Sequence, residues 1–434
     1  MAHLHLPDLV TQKIIQVLPT KAAVRMNFDE ESVGFCRDKH GDKHRKFINN
    51  ILIRYLRFCE NDKQKKLTLL KLRLHMTGYL FREDTNIVDK LLTCSLDRNV
   101  KELDISLRRD WHVNENYYGL SRTTFLVAKS LTTLRLAYVK IKDIRSANDG
   151  RHIDRISQLL PSLKTMSLKR VRFDERALSS LIWECPCIEY LSLTSCSYED
   201  NQEDELSMFY ISSYTLKFLE VKYCKAQDIQ VDETINLESF TFVSSKFLHV
   251  EWIMLRDSHN LKHINIHAHH LKNLRLLASH RSLEATINTP NLNSIYFLCG
   301  YLTSKISLKA PNLGEAAILL LDFWDIQFPT AFNGPWKHLP VLADFLTEFG
   351  CSKKFRNTCS SAILPGLNNS LVLKMSNYLE TDSDIGELED SLTWIAPSAR
   401  DISVEKPLFA AHIKPYPPLL LRTFLLKIVD GELR

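Results

Sequence analysis

The side chains best suited to chemistry in this chain are its histidines, thiols and paired carboxylates. Six histidines crowd one stretch: His259, His263, His267, His269, His270 and His280. Imidazole is a common metal ligand, so a metal centre is the first chemistry to weigh. His263 and His267 lie in LKHINIHA, which alternates like a strand, and they share one of its faces. At about 3.3 Å per residue they stand roughly 13 Å apart, too far for one ion. The fixed pair-spacings of zinc motifs are missing too, and no metal is expected. Cys185-Pro186-Cys187 with Cys196 offers three thiols, but no fourth ligand follows at zinc spacing. Cysteine acting as a small buried hydrophobe accounts for them better. Asp382 with Asp384 and Glu387 with Glu389 are carboxylate pairs, but they sit in the charged run TDSDIGELED, whose composition is that of a solvated loop.

Nucleotide chemistry fares no better. Only 12 glycines occur, and no two lie within three residues of each other. A backbone that cradles a pyrophosphate needs closely spaced glycines, so the dinucleotide fingerprint is absent. The phosphate-binding loop ending in Gly-Lys-Ser/Thr and the Gly-x-Ser-x-Gly elbow are absent as well. No nucleophile, base and orienting group can be assembled from sequence neighbours. The sequence proposes no reaction and no cofactor, and the expectation is a binding protein rather than an enzyme.

The elements point the same way. A phrase of leucine, two residues, leucine, one residue, leucine is clearest at Leu163–Leu168, Ile188–Leu193 and Leu216–Val221. Its last three positions alternate, which is a strand signal. The middle apolar residue recurs at Leu70, Leu103, Leu134, Met166, Leu191, Leu219, Phe240, Ile264, Ile295 and Ala316. One strand per unit, at a period of roughly 20 to 30 residues, marks an α/β leucine-rich repeat solenoid, a horseshoe of about ten units. A single unit cannot bury its own apolar edge, so units must stack. The pieces 149–160 and 174–185 read as helices that exit at Pro161 and Pro186. Helices are therefore expected on the convex side and a parallel sheet on the concave side. Cys196 and Cys224 follow the strand phrase at the slot these repeats fill with Asn or Cys.

The residue between the last two apolar positions points away from the core. Down the stack these are Asp104, Arg135, Ser167, Ser192, Glu220, Thr241, Asn265 and Tyr296, a mixed polar column suited to a partner protein or a small ligand. A phosphate backbone would select Arg and Lys instead. Net charge is +5, from 56 basic and 51 acidic residues, so no nucleic-acid partner is expected. No apolar run approaches the roughly 18 residues of a membrane span, and no membrane partner is expected. Ten cysteines without a recognisable secretory signal suggest reduced thiols in cytosol or nucleus.

At the start, Val10, Ile14, Val17 and Leu18 share one helical face, Pro19 ends it, and Thr20 is placed to cap a second helix through Lys21 to Arg25. The string Leu6-Pro7-Asp8-Leu9, then Ile14, then Leu18-Pro19-Thr20-Lys21 with Ala23-Val24-Arg25, resembles the opening of an F-box. It is particularly similar to that of plant F-box proteins carrying leucine-rich repeats. The resemblance implies an adaptor-docking motif in which Leu6, Pro7, Leu9, Ile14, Leu18 and Pro19 dock or pack. Through a Skp-type adaptor and a cullin, such a chain would be the substrate-recognition subunit of an SCF-type ubiquitin ligase. Its repeats would bind an unidentified target protein, and it would do no chemistry itself. The chain departs from that family after Met26, where Asn27-Phe28-Asp29-Glu30-Glu31 replaces the Ser/Leu/Lys-Arg-Trp stretch, so the F-box reads as partial. The closing FBD module of many relatives is not evident. The expected domains are a partial F-box over 1–26, a linker and N-terminal helix over 27–66, repeats over 67–325, and degenerate repeats with a cap over 326–434. Two other readings are an interaction module uncoupled from the ligase and a small-molecule receptor.

Overall fold

The computed structural model describes residues 23–30, 45, 47–61, 68–77, 82–107, 117–120, 122–142, 159–174, 176–198, 208–277, 283–299, 305–310, 315–323, 370–375, 402–405 and 421–429. The chain divides into two compact units, Met1–Ile188 and Glu189–Arg434.

In the first unit five parallel strands form a main sheet: β1 (Ala23–Asp29), β2 (Thr68–Met76), β3 (Glu102–Leu107), then β5 (Thr133–Ala137) and β7 (Thr165–Lys169), paired in that order. The shorter β4 (Tyr118–Leu120), β6 (Val139–Ile141) and β8 (Arg172–Phe173) make a second small parallel sheet. Leu72, Leu103, Leu134 and Met166 stand side by side in the main sheet, and Leu74, Ile105, Leu136 and Leu168 form the next row. All eight are buried. Each buried apolar side chain of this size contributes about 1.5–3 kcal/mol relative to its exposed state. The first member of the first row is Leu72, not Leu70, which is half-buried and out of register. LTLLKLRL is apolar in two phases, and only strand pairing chooses between them.

Helices return the chain in this unit. A π-helical turn, Ile48–Leu52, leads into α1 (Ile53–Asn61), and α2 (Arg82–Leu96), α3 (Arg122–Leu126) and α4 (Ala177–Trp183) follow. Val88, Leu91, Leu92, Ser95 and Leu96 of α2 are buried, at the spacing of a single helical face. Asn99 ends that helix in the left-handed region, with φ 57° and its N–H 3.1 Å from the Leu96 carbonyl.

The helix expected over Lys21 to Arg25 is not formed by Ala23, Val24 and Arg25, which are strand. β1 crosses the boundary placed at residue 26, and it, rather than residues 67–74, is the first strand of the sheet. Apolar residues alternate through Val24, Met26 and Phe28, and Phe28 is buried with its ring 5.1 Å from that of Tyr55. A strand satisfies that alternation; a helix would scatter it.

The second unit holds two long sheets. The main one pairs β9 (Tyr190–Thr194), β12 (Phe218–Lys222), β14 (Ser239–Val243), β16 (His263–His267), β18 (Glu284–Asn288) and β20 (Lys305–Lys309), all parallel. After β10 (Ser197–Tyr198), the other sheet pairs β11 (Met208–Ser212), β13 (Asp228–Asp232), β15 (Trp252–Arg256), β17 (Asn273–Leu277), β19 (Ser294–Cys299) and β21 (Glu315–Phe323), again parallel. Strands, not the expected helices, occupy this return side. The main-sheet positions Ile264, Ala285 and Ile306 are evenly spaced along the chain. Their step of about 20 residues is at the short end of the leucine-rich repeat range. A five-residue strand crosses about 17 Å, whereas a helix would need about 11 residues for the same distance. So short a repeat has room only for the strand. Ile253, Leu255, Leu274 and Leu276 are buried at alternate positions accordingly.

The late segments read as strands are strands: β22 (Ser370–Met375), β23 (Ile402–Glu405) and β24 (Leu421–Val429). β22 and β23 are parallel, but β24 runs antiparallel to both β21 and β22, which departs from the all-parallel expectation.

The turns leaving the main strands share a device. Tyr138, Arg170, Ser195 and Tyr223 each follow a main-sheet strand with φ between 51° and 58°. A non-glycine residue costs about 1–2 kcal/mol in that region. In return, the Ser195 and Tyr223 N–H groups reach the carbonyls of Lys222 and Val243 in the next strand, at 2.8 and 2.7 Å. The slot residues Cys196 and Cys224 then turn inward, buried, with their Sγ atoms 3.6 and 3.5 Å from the carbonyls of Thr194 and Lys222. Each unit is therefore a stack of leucine-rich repeats, with helices among the described residues of the first and strands alone among those of the second.

Candidate functional site

The polar face of each main sheet is built by the alternation that buries the leucines. In the first unit Asn27, Arg73, Asp104, Arg135 and Ser167 are laterally paired, so three of the expected column residues, Asp104, Arg135 and Ser167, line up as read. In the second unit Ser192, Glu220, Thr241 and Asn265 form one row, continued by Thr286 and Ser307. Tyr296 is displaced from this set. It lies in β19 of the other sheet, paired with Arg275 and Ala317. SIYFL alternates as a main-sheet strand does, and nothing within the segment says which sheet takes it. Ile295 and Ala316 are misplaced for the same reason; Ala285 and Ile306 hold the corresponding main-sheet positions. Glu220 and Tyr296 are thus on different sheets of the second unit, and Arg135 belongs to the first.

A dense charge network occupies the first unit's face. His75 Nε2 is 3.0 Å from Asp104 Oδ1, and its Nδ1 is 3.0 Å from Arg73 Nη2. Arg73 also lies 3.8 Å from both Asp29 and Asp104. Burial pushes the Asp104 carboxyl up, but the hydrogen bond and charge of His75 and the charges of Arg73 and Arg135 outweigh it, and the group sits below its ordinary value. These residues satisfy one another across the face.

On the second unit's face the chemistry is mixed. Phe218 is 43% exposed and pairs laterally with Tyr190. Beside them Glu220 Oε2 is 2.9 Å from Lys222 Nζ and 3.4 Å from Ser192 Oγ. Burial raises Glu220, but the Lys222 hydrogen bond and charge prevail and its pKa falls. Burial, then the Glu220 charge, raises Tyr190. Toward the strand entries a ladder of opposite charges runs Lys217 to Glu189 and Lys262 to Glu238, each at 2.9 Å. Two neighbouring aromatic rings beside a salt-bridged rim have the composition of a protein-binding hot spot. Sequence reasoning named Ser192 and Glu220 but passed over Tyr190, Phe218 and Lys222. They lie two residues away on the same strands, so the period-2 rule already placed them on this face.

The other candidates disperse. Among the described residues no group of three or more His, Cys, Asp or Glu could hold a metal. His263 faces Glu284 at 3.6 Å on the exposed face, and His270 Nε2 is 2.7 Å from the Lys246 carbonyl. Cys185 is buried with its thiol 3.0 Å from the Leu181 carbonyl, and burial pushes its pKa up; Cys187 is exposed. Leu6, Pro7, Leu9, Ile14, Leu18 and Pro19 lie outside the described residues, as do His280 and the run TDSDIGELED. No described helix is long and apolar enough to cross a membrane.

Residues 88–256 match the family model of the leucine-rich repeats of FBD-associated F-box protein At5g56370. That stretch contains β3 to β15 and both Cys slots described above. The chain is similar to plant F-box/leucine-rich repeat proteins. It is 29% identical over 215 residues to FBD-associated F-box protein At5g38590 of Arabidopsis thaliana, covering 46% of this chain and 45% of the relative. To F-box/LRR-repeat protein At3g03360 of the same plant it is 25% identical over 202 residues, covering 44% and 38%. The chain spans less than half the length of the curated relatives it matches. Both relatives are named for an F-box, one of them also for its repeats, and the family-model match falls on the repeats.

Proposed function

We propose that this chain recognises a target protein for an SCF-type ubiquitin ligase, with the main-sheet face of Glu189–Arg434 as the recognition surface. The observation that carries this is the grouping of Tyr190 and the exposed Phe218 beside the Glu220–Lys222 pair on a parallel sheet. The names of its relatives support the ligase connection. In this reading the chain transfers no ubiquitin itself; it holds the target while other subunits act. Proximity labelling in plant cells, comparing the wild-type chain with a Phe218→Ala/Glu220→Ala variant, tests the surface. The reading expects the variant to lose a defined set of labelled proteins, and an unchanged set overturns it.

A second reading is favoured by β1. Ala23, Val24 and Arg25 close the F-box-like string, yet they are strand residues in the first repeat. They are therefore withdrawn from any helical adaptor motif. In this reading the chain binds the target but couples weakly to the ligase. Calorimetry with purified Skp-type adaptor separates the two: micromolar or tighter binding removes the second reading, and no binding removes the first.

A further inference from the structure

The outward face of the second unit's return sheet has no part in the proposed target surface. Ile229, Ile253, Leu274 and Ile295 are buried at alternate positions, so the residues between them point outward. Tyr210, Gln230, Met254, Arg275 and Tyr296 are laterally paired in one outward row. Asp228 and Trp252 are paired in the row beside it. Arg275 is exposed, with its guanidinium over the Trp252 ring at 4.8 Å. Tyrosine, tryptophan, methionine and arginine are the residue types enriched where proteins meet. The charges of this face do not all cancel within it. Arg256 pairs with Asp232 at 3.5 Å. Arg275 meets no carboxylate among the described residues; it lies beside the Trp252 ring, Met254 and Tyr296. Asp228 meets no cation among them, and its Oδ1 is buried without a hydrogen-bond partner. Burial, then the charge of Glu251, raises the Asp228 pKa, as expected of a carboxylate that lacks a cation.

We infer that this face is a self-association surface, on which a second copy of the chain packs about a two-fold axis crossing β15. Asp228 in β13 and Arg275 in β17 stand on either side of β15. Two strand spacings of about 4.8 Å and two residues of about 3.3 Å separate them by roughly 12 Å. A complementary occupant brings a cation to Asp228 and an anion to Arg275 at that same separation. A copy of the same face brings both, because in a two-fold pairing residue i meets j while j meets i. Trp252 and Met254, on the strand between the two charges, then lie nearest the axis and pack on the second copy. The strands β11 to β19 of this sheet cover roughly 400 Å². That footprint is about half of the ~800 Å² that each partner of a stable complex buries, so the pair is weak and reversible.

Sedimentation equilibrium on the full chain, at concentrations up to about 200 μM, tests this. Wild type is expected to dimerise reversibly. Arg275→Glu, a change at an exposed position, and Asp228→Arg should each weaken the dimer by about tenfold or more. Mixed one to one, the two variants should recover association close to wild type. In the mixed pair the two reversed charges meet at one contact and the two native charges at the other. Should Asp228→Arg disturb folding, Asp228→Asn, checked for an unchanged melting temperature, is expected to weaken the dimer by about threefold. Phe218→Ala should leave association unchanged, which keeps this surface distinct from the proposed target face. A wild-type chain that stays monomeric at about 200 μM, undiminished association of Arg275→Glu, a mixture of the folded variants no stronger than either alone, or dependence on Phe218 would each overturn the inference.

Discussion

The two units answer one demand, covering the back of a parallel sheet, in two ways. In Met1–Ile188 the aligned positions Leu72, Leu103, Leu134 and Met166 are widely spaced along the chain, and α2 returns it with Val88, Leu91, Leu92, Ser95 and Leu96 buried on one face. In Glu189–Arg434 the interval shortens by about a third, from Ile264 to Ala285 to Ile306, toward the lower limit for such repeats. Strands such as β15 and β17 return the chain there, with alternate residues buried. Repeat length decides between them because a strand crosses the layer in about half the residues a helix needs. The polar faces differ too. Asp104, Arg73 and His75 lock one another in the first unit, whereas Phe218 in the second is left open to a partner. Both faces pair their charges, and the exposed aromatic ring is what sets apart the face proposed for recognition.

The contrast can be broken first in the core. Leu91→Ala in α2 and Leu274→Ala in β17 are each expected to cost about 2–5 kcal/mol, read by denaturant unfolding. A cost below about 1 kcal/mol at either site would mean that its backing layer does not seal the sheet. Next comes acid sensitivity. The Asp104 carboxyl titrates lower in the fold than its ordinary value, so its contribution is present above about pH 4 and disappears as pH falls through the folded value. Wild type should therefore lose more stability between pH 5 and 3 than Asp104→Asn does. The difference should be under about 1 kcal/mol, since solvent still screens a partly exposed group. Equal losses would show that the network contributes nothing to stability. Smallest is a propensity test: threonine at exposed Lys90 of α2 should cost about 0.5 kcal/mol, while Gln230→Thr in β13 should be neutral or stabilising. The same sign at both sites would erase the helix–strand distinction.

Much of this was legible because the buried alternation is written into the strand phrase. Leu103, Leu134, Met166, Leu191, Leu219, Phe240 and Ile264 fall where the period put them, and Cys196 and Cys224 fill their slots. The return sheet was hidden by the same property. WIMLR, NLRLL and SIYFL alternate just as HINIH does, so local pattern cannot assign a strand to one of two parallel sheets, and Tyr296 went to the wrong one. β1 was missed because Ala23, Val24 and Arg25 resemble the end of a helical motif, and only pairing with β2 shows them as strand. The Arg275–Trp252 stack had no signal at all, since its members come from different repeats.

The even interval of the later repeats in the second unit has a consequence for how such a chain changes over generations. Ile264 to Ala285 on one side and Ile253 to Leu274 on the other are the same distance along the polypeptide. Cutting out or copying a segment of that length removes or adds one rung to both walls at once and leaves every surviving rung beside a compatible neighbour. The length of the proposed recognition wall can then be altered by a single genetic event, without redesign of what it is made from.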